Sequence, residues 1–151
     1  MRDAMGGTVA LVIIVVFIVI ALGYMAFNVN YTKAFRMKNK IISVYEDFNG
    51  DCEKNSKSAC NTQITKYAES LGYSTGDALT CPSGYTMSST KLYCSQRIEV
   101  TPNVDDDIIV DDSTKYYYKI LTKINIEVPI INNALDLKAF QITGDTKSFK
   151  E

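Results

Sequence analysis

Residues 8–28 read TVALVIIVVFIVIALGYMAFN, and this stretch decides how the rest of the chain is organised. A helix needs about 20 apolar residues to cross about 30 Å of hydrocarbon, and residues 4–32 contain no charged side chain. Insertion of residues 9–22 gains about 4 to 7 kcal/mol, because each Val, Ile, Leu or Phe contributes about 0.3 to 0.6 kcal/mol. The pattern predicts a transmembrane helix over residues 8–28, after a short leader or cytoplasmic tail of residues 1–7.

The alternative to a retained helix is a cleaved secretory signal. Signal sequences usually have a shorter apolar region and a more basic start, whereas here only Arg2 and the α-amino group are positive and Asp3 opposes them. Ala21-Leu22-Gly23 is a passable cleavage site for signal peptidase. The length of the apolar run favours the retained anchor.

Two signals disagree about orientation in the membrane. Lys33, Arg36, Lys38 and Lys40 follow the apolar run, and the positive-inside rule assigns such a cluster to the cytoplasm. The distal chain, however, carries four Cys and is rich in Ser, Thr and Asn, which is typical of domains in an oxidising compartment. We expect a single-pass protein of the cell membrane with its C-terminal domain outside the cytoplasm.

The helix is predicted to continue beyond the bilayer over residues 29–49. No proline occurs before Pro82, and Asn49-Gly50 is a helix stop signal, since both residues tolerate the left-handed conformation. Apolar side chains recur there at helical spacing, at Phe35, Ile41, Ile42, Tyr45 and Phe48. This amphipathic half is expected to hold a domain packed against it.

Residues 50–151 are predicted to form that head domain. Residues 62–71 fit a short helix with Asn61 as its N-cap and Gly72 after its last turn. Strand patterns follow at residues 92–101, 116–128 and 135–143, with Gly144-Asp145 closing the last. Consecutive strands joined by turns form an antiparallel meander, so the fold class is α+β, with a long N-terminal helix on a small antiparallel sheet.

The four cysteines, Cys52, Cys60, Cys81 and Cys94, predict two disulfides. Spacing alone allows three pairings, and Cys52–Cys60 with Cys81–Cys94 is favoured because it closes the shortest loops. A zinc site is the rival interpretation, but its usual paired Cys knuckles are missing.

The remaining composition argues against several functions. The net charge of −1 argues against nucleic acid as the main partner, and the absence of His removes the commonest catalytic base and metal ligand. We find no catalytic, cofactor or metal site in the sequence. The run Asp105, Asp106, Asp107, Asp111 and Asp112 lacks the spacing of a calcium loop, so a solvated turn is favoured over a Ca²⁺ site.

Met5-Gly6-Gly7-Thr8, the apolar run and the amphipathic extension together resemble a type IV pilin or pseudopilin. Such proteins have a short leader ending in Gly, a helix with an apolar and an amphipathic half, and a β-sheet head that often carries a disulfide. The strands of residues 116–143 are similar to those of TadE/TadF-like pseudopilins of Tad-type systems.

The resemblance implies a structural, non-enzymatic subunit of a surface filament or secretion apparatus. A prepilin peptidase would cut after Gly7 and leave Thr8 as the new N-terminus. The partners implied are the lipid bilayer and copies of the chain or other pilin-like subunits, contacted through Val9, Val12, Val16, Val19 and Leu22. The chain departs from the family at Val12, where many pilins have a Glu. The alternative is a bitopic protein whose outer domain binds a ligand or protein, unrelated to filaments.

Overall fold

The computed structural model describes residues 2–73, 79–100, 114–123 and 141–150. In chain order, the elements within these ranges are α1 (Arg2–Asp47), a 3-10 turn (Asp51–Glu53), α2 (Lys57–Leu71), β1 (Thr86–Met87), β2 (Cys94–Val100), β3 (Lys115–Lys123), β4 (Gln141–Asp145) and β5 (Phe149–Lys150). The strands pair antiparallel in the order β1-β2-β3-β4, and β5 pairs with the start of β3. Because α1 packs on this sheet, the predicted α+β architecture is confirmed.

Helix α1 is continuous for 46 residues, which corresponds to about 69 Å. It begins at Arg2 and not at Thr8, because the residues before Thr8 include no proline that would stop the helical hydrogen bonding. It ends in a Schellman motif, in which the Gly50 N–H donates to the Tyr45 carbonyl at 2.8 Å and Asn49 has a φ of 50°. The predicted stop at Asn49-Gly50 is confirmed.

The distal half of α1 supplies one wall of the hydrophobic core. Its fully buried side chains recur three or four residues apart, at Ala34, Met37, Ile41, Val44 and Tyr45. The prediction that Phe35 belongs to this face is wrong, since Phe35 is 41% exposed. Phe35 follows Ala34 by one position, and a step of about 100° carries its side chain off the buried face that Ala34 shares.

Helix α2 packs beside α1 and is longer than the sequence predicts. It begins at Lys57 with Ser56 as its N-cap, so the prediction of a start at Thr62 with Asn61 as the N-cap is wrong. The extra turn places Cys60 in the core, where the disulfide to Cys52 holds it. Helix α2 ends as predicted at Gly72, whose φ of 59° is left-handed.

The sheet keeps the predicted antiparallel order of its three main strands and adds two short ones. Strand β2 pairs with β3 from Cys94 opposite Leu121 to Val100 opposite Lys115. Strands β1 and β5 are not predicted, since pairs of residues are too short to show alternation. Gly144 and Asp145 continue β4 and do not close it, because they pair with β3. The predicted strand segments 124–128 and 135–140 lie outside the described residues.

Gly144 lets α1 approach the sheet closely. A Cβ at this position would lie 2.9 Å from both the Ile42 Cδ1 atom and the Lys38 Cδ atom. These contacts are shorter than van der Waals separation, so any side chain on Gly144 would displace the helix or its side chains. The glycine thus leaves room for the Ile42 and Lys38 side chains of α1 against β4.

Candidate functional site

The proximal half of α1 is apolar and makes no contribution to the core. Eleven large apolar side chains between Val9 and Leu22 are 49–71% exposed. A soluble monomer rarely exposes a contiguous apolar patch of more than a few hundred Å². Among the described residues, α1 is the one helix long and apolar enough to span a membrane, or to serve as a signal sequence, and none of its apolar window is buried.

The structure places the predicted assembly residues along this half of α1. Val9, Val12, Val16 and Leu22 are exposed, while Val19 is partly shielded by its neighbours on the helix. Apolar side chains are exposed on all sides of this half of the helix. The structure therefore does not distinguish the predicted assembly residues from the other apolar residues there.

The predicted processing position lies within α1, away from the head. Gly7 has open space around it, since a Cβ there would meet no atom within 4 Å. Thr8 is exposed. The head therefore does not cover the peptide bond between Gly7 and Thr8.

Aromatic side chains mark the passage from the apolar half of α1 to the head. The rings of Phe27 and Tyr31 stack with centroids 6.2 Å apart, and those of Tyr31 and Phe35 at 6.4 Å. Tyr24 is 68% exposed. Exposed tyrosines at one end of an apolar helix are typical of a membrane–water interface, where an amphipathic ring suits both phases.

Basic side chains follow the aromatic ones on α1. Lys33, Arg36 and Lys40 are spaced three and four residues apart and share one face, which adjoins α2. Lys33 Nζ donates to the Gly72 carbonyl at 3.2 Å, at the end of α2. Lys38 lies toward the sheet, with its Nζ 4.5 Å from the Phe35 ring centroid.

Two disulfides brace the head. Cys52–Cys60 joins the 3-10 turn to α2, and Cys81–Cys94 joins the segment before β1 to the start of β2. This is the pairing that the loop lengths favour, and all four sulfurs are used. Because no thiolate remains, the zinc interpretation loses its ligands.

A buried polar network joins α1 to the sheet. The Tyr45 and Tyr93 hydroxyl oxygens lie 3.2 Å apart, and Glu53 Oε1 accepts from Ser95 Oγ at 2.7 Å and from the Tyr45 hydroxyl at 3.5 Å. Burial raises the pKa of Tyr45 and of Tyr93, so both phenols stay protonated at neutral pH. These hydrogen bonds hold α1 and the sheet together.

A cavity of about 200 Å³ adjoins this network, between α2 and the turn that precedes β2. Its lining includes Glu53, Lys57, Asn61 and Ser95. Small-molecule sites usually enclose about 300–1,000 Å³, so this cavity is small for a ligand pocket.

The structure brings no three potential metal ligands together within the described ranges. The acidic run of residues 105–112 lies outside the described residues. In the neighbouring aromatic run, Tyr116 and Tyr118 share one face of β3, with ring centroids 5.9 Å apart, and Tyr118 is fully buried. These rings serve the core of the head, as ordinary sheet packing predicts.

The sequence gives no sign of several residues that shape this region. Glu53 and Tyr93 come from separate segments, and both reach the Tyr45 hydroxyl because a disulfide and the sheet position them. The hydrogen bond between Lys33 and the end of α2 likewise depends on how two helices pack. The sequence offers one indication of the Lys33 contact. The helix stop at Gly72 shows where α2 ends and leaves its last carbonyl groups free to accept hydrogen bonds.

The fold and this surface define a class: a disulfide-braced α+β head on a long helix whose N-terminal half is apolar and exposed. No protein-family model, curated protein or solved structure matches the chain.

Proposed function

We propose that the chain is a structural, membrane-anchored pilin-like or pseudopilin subunit of a surface filament or secretion apparatus. Residues 8–28 span the membrane, and the head lies outside the cytoplasm. One observation carries the proposal: a single unbroken helix is apolar and exposed around its first half and buried in the head along its second half.

The continuity of α1 suits this role mechanically. A helix without a break couples the position of the head to the orientation of the anchor, because the Schellman stop comes only at Asn49. On assembly, the apolar half would pass from lipid to neighbouring helices. That transfer has little hydrophobic driving force, because lipid tails and neighbouring helices are both apolar. The stability of the assembled filament therefore depends on close packing along Val9, Val12, Val16, Val19 and Leu22.

The disulfides support an extracytoplasmic head. Cytosolic reductants keep thiols reduced, whereas Cys52–Cys60 and Cys81–Cys94 require an oxidising compartment to persist. The basic residues after the apolar run favour the opposite orientation by charge counting. We give the disulfides more weight, because all four cysteines are paired.

Processing by a prepilin peptidase after Gly7 forms part of the proposal. It is supported by the open surroundings of Gly7 and the exposure of Thr8. The mature helix would then start at Thr8, with Val12 at the position where many pilins have Glu. In those pilins the Glu pairs with a neighbouring subunit's N-terminus, so subunit contacts here would rest on apolar packing without that charge pair.

The test is to shear filaments from cells and measure the intact mass of the chain in them. The proposal expects a chain that lacks residues 1–7. Gly7→Val should leave the chain uncut and absent from filaments, while Ala4→Val serves as the matched control and should be processed. Full-length chain that stays monomeric in detergent, with no trace in sheared material, would contradict the proposal.

The second candidate is a bitopic protein that binds a ligand through its head. The cavity beside Glu53 and Ser95 is the observation that favours it. The volume of about 200 Å³ is below the usual range for ligand sites, so the cavity supports this function less strongly than α1 supports the first. A metabolite that raises the melting temperature of wild-type protein but not of Glu53→Gln would favour the second candidate.

A further inference from the structure

The basic residues of α1 lie in a stretch of the helix that contains no acidic residue. From residue 4 to residue 45 the helix contains Lys33, Arg36, Lys38 and Lys40 and no Asp or Glu. In the part of the chain that the structure describes, none of these four cations forms an ion pair. A concentrated and uncompensated positive charge is expected to attract an anionic partner.

A groove lies at the proximal end of this basic face. It has a volume of about 360 Å³ and is lined by Asn28, Val29, Thr32, Lys33, Arg36 and Leu71. Val29 and Leu71 supply apolar surface beside the two cations. The Lys33 ammonium has three donor hydrogens, and the Gly72 carbonyl accepts one of them. The groove thus combines hydrogen-bond donors for an anion with an apolar floor.

The groove lies at the outer edge of the headgroup layer, if residues 8–28 span the membrane as proposed above. At about 1.5 Å per residue, Lys33 and Arg36 lie about 7.5 and 12 Å beyond Asn28. The polar layer of a bilayer is about 5–7 Å thick on each side. Helical side chains lean toward the helix N-terminus, so both cations reach back toward the bilayer.

We propose that this groove binds the phosphate of an anionic phospholipid headgroup through Lys33 and Arg36, with Val29 and Leu71 against the lipid's apolar part. The inference rests on the proposed membrane anchoring and adds a lipid partner to it. It also gives the basic residues a role on the outer side of the membrane. The positive-inside rule alone assigns them to the cytoplasm.

The test measures lipid binding to full-length protein in detergent by native mass spectrometry. Phosphatidylglycerol and phosphatidylcholine are compared as probes, because they differ in headgroup charge. Wild type should prefer phosphatidylglycerol, and Lys33→Gln/Arg36→Gln should lower its affinity for that lipid by about 25-fold, as expected if each cation contributes about fivefold. Lys54→Gln/Lys57→Gln removes the same charge from exposed positions at the other end of α2 and should keep the preference.

Three outcomes would overturn the inference: equal binding of the two lipids by wild type, an unchanged preference in Lys33→Gln/Arg36→Gln, or displacement of the lipid by inorganic phosphate at equal concentration. Lys33→Arg/Arg36→Lys keeps both charges and should retain the preference, which guards against a folding defect. Extraction of wild-type protein from membranes with alkaline carbonate is measured separately. Release by carbonate would refute the anchor, whereas loss of lipid preference alone would refute only the headgroup site.

Discussion

The hydroxyl oxygens of Tyr45 and Tyr93 lie 3.2 Å apart at the point where α1 meets the sheet. Their rings meet edge to face with centroids 6.1 Å apart, and the Tyr45 ring also lies 5.0 Å from that of Tyr118. Tyr45 is one turn from the end of α1, and Tyr93 immediately precedes β2. This contact fastens the distal end of the long helix to the head.

Removing the Tyr45 hydroxyl should weaken that junction. Tyr45→Phe keeps the ring but deprives the buried Tyr93 hydroxyl of its partner, which costs about 1–3 kcal/mol. For a head of this size, a loss of 1 kcal/mol lowers the melting temperature by about 4–8 °C. Near-ultraviolet circular dichroism of the full chain in detergent should show this decrease. Tyr31→Phe, at an exposed ring, is the control, and equal melting of the two variants would contradict the account.

Alkaline pH should destabilise the head through Tyr73. Burial raises the pKa of Tyr73 to about 12, and its hydroxyl donates to the Lys123 carbonyl at 2.8 Å. The unfolded chain loses this proton near pH 10, so above that pH the unfolded state binds fewer protons and the free energy of unfolding falls. The contribution is intact below pH 10 and declines by at most about 1.4 kcal/mol per pH unit up to the folded pKa.

Tyr73→Phe isolates this effect. The variant should lose less stability between pH 10 and pH 11 than wild type does, because one buried phenol no longer titrates. Denaturant unfolding at pH 9, 10 and 11 gives the slope of the free energy of unfolding against pH for wild type and for Tyr73→Phe. Tyr24→Phe, at an exposed ring, is the control. Parallel slopes for wild type and Tyr73→Phe would count against a buried, protonated Tyr73.

The parts of the fold that the sequence predicts well are those set by local chemistry. The apolar run, the stop at Asn49-Gly50 and the end of α2 at Gly72 follow from side-chain type and backbone preference. The start of α2 does not, since residues 57–60 are too polar to indicate a helix and join it because Cys60 is drawn into the core. Tertiary packing overrides local propensity there.

The exposed surfaces of α1 can be predicted from the sequence to a similar extent. Exposure of the apolar half of α1 follows from composition, because so long an uncharged apolar run is typical of a helix in lipid. The lipid groove does not follow, since Leu71 reaches Lys33 only through the packing of α2 on α1. Phe35 shows the same limit, because helical spacing alone does not choose which of two adjacent faces the sheet covers.

Met37 and Phe35 test which face of α1 holds the head. Met37 is fully buried whereas Phe35 is 41% exposed, so Met37→Ala should cost about 2–5 kcal/mol and Phe35→Ala much less. Melting of the two full-length variants in detergent, compared with wild type, gives the order. A larger loss for Phe35→Ala would show that the helix faces the sheet differently.

The Cys81–Cys94 bridge should stabilise the start of the sheet. It closes a loop with a sequence separation of 13, for which the chain-entropy relation gives about 3 kcal/mol. Cys81→Ser/Cys94→Ser should therefore melt well below wild type. Dithiothreitol should lower the melting of wild type further than that of the variant, because wild type still has both bridges to lose. Unchanged melting after removal of both cysteines would mean that β2 is held without the bridge.

The most direct test of the central claim, that an apolar helix anchors an oxidised head outside the cytoplasm, is thiol labelling of carbonate-washed membranes from intact cells. The account predicts that the chain stays in the membrane pellet and that maleimide labels none of its cysteines before reduction and all four afterwards. Recovery of the full-length chain in the soluble fraction, with its cysteines labelled without reduction, would contradict it.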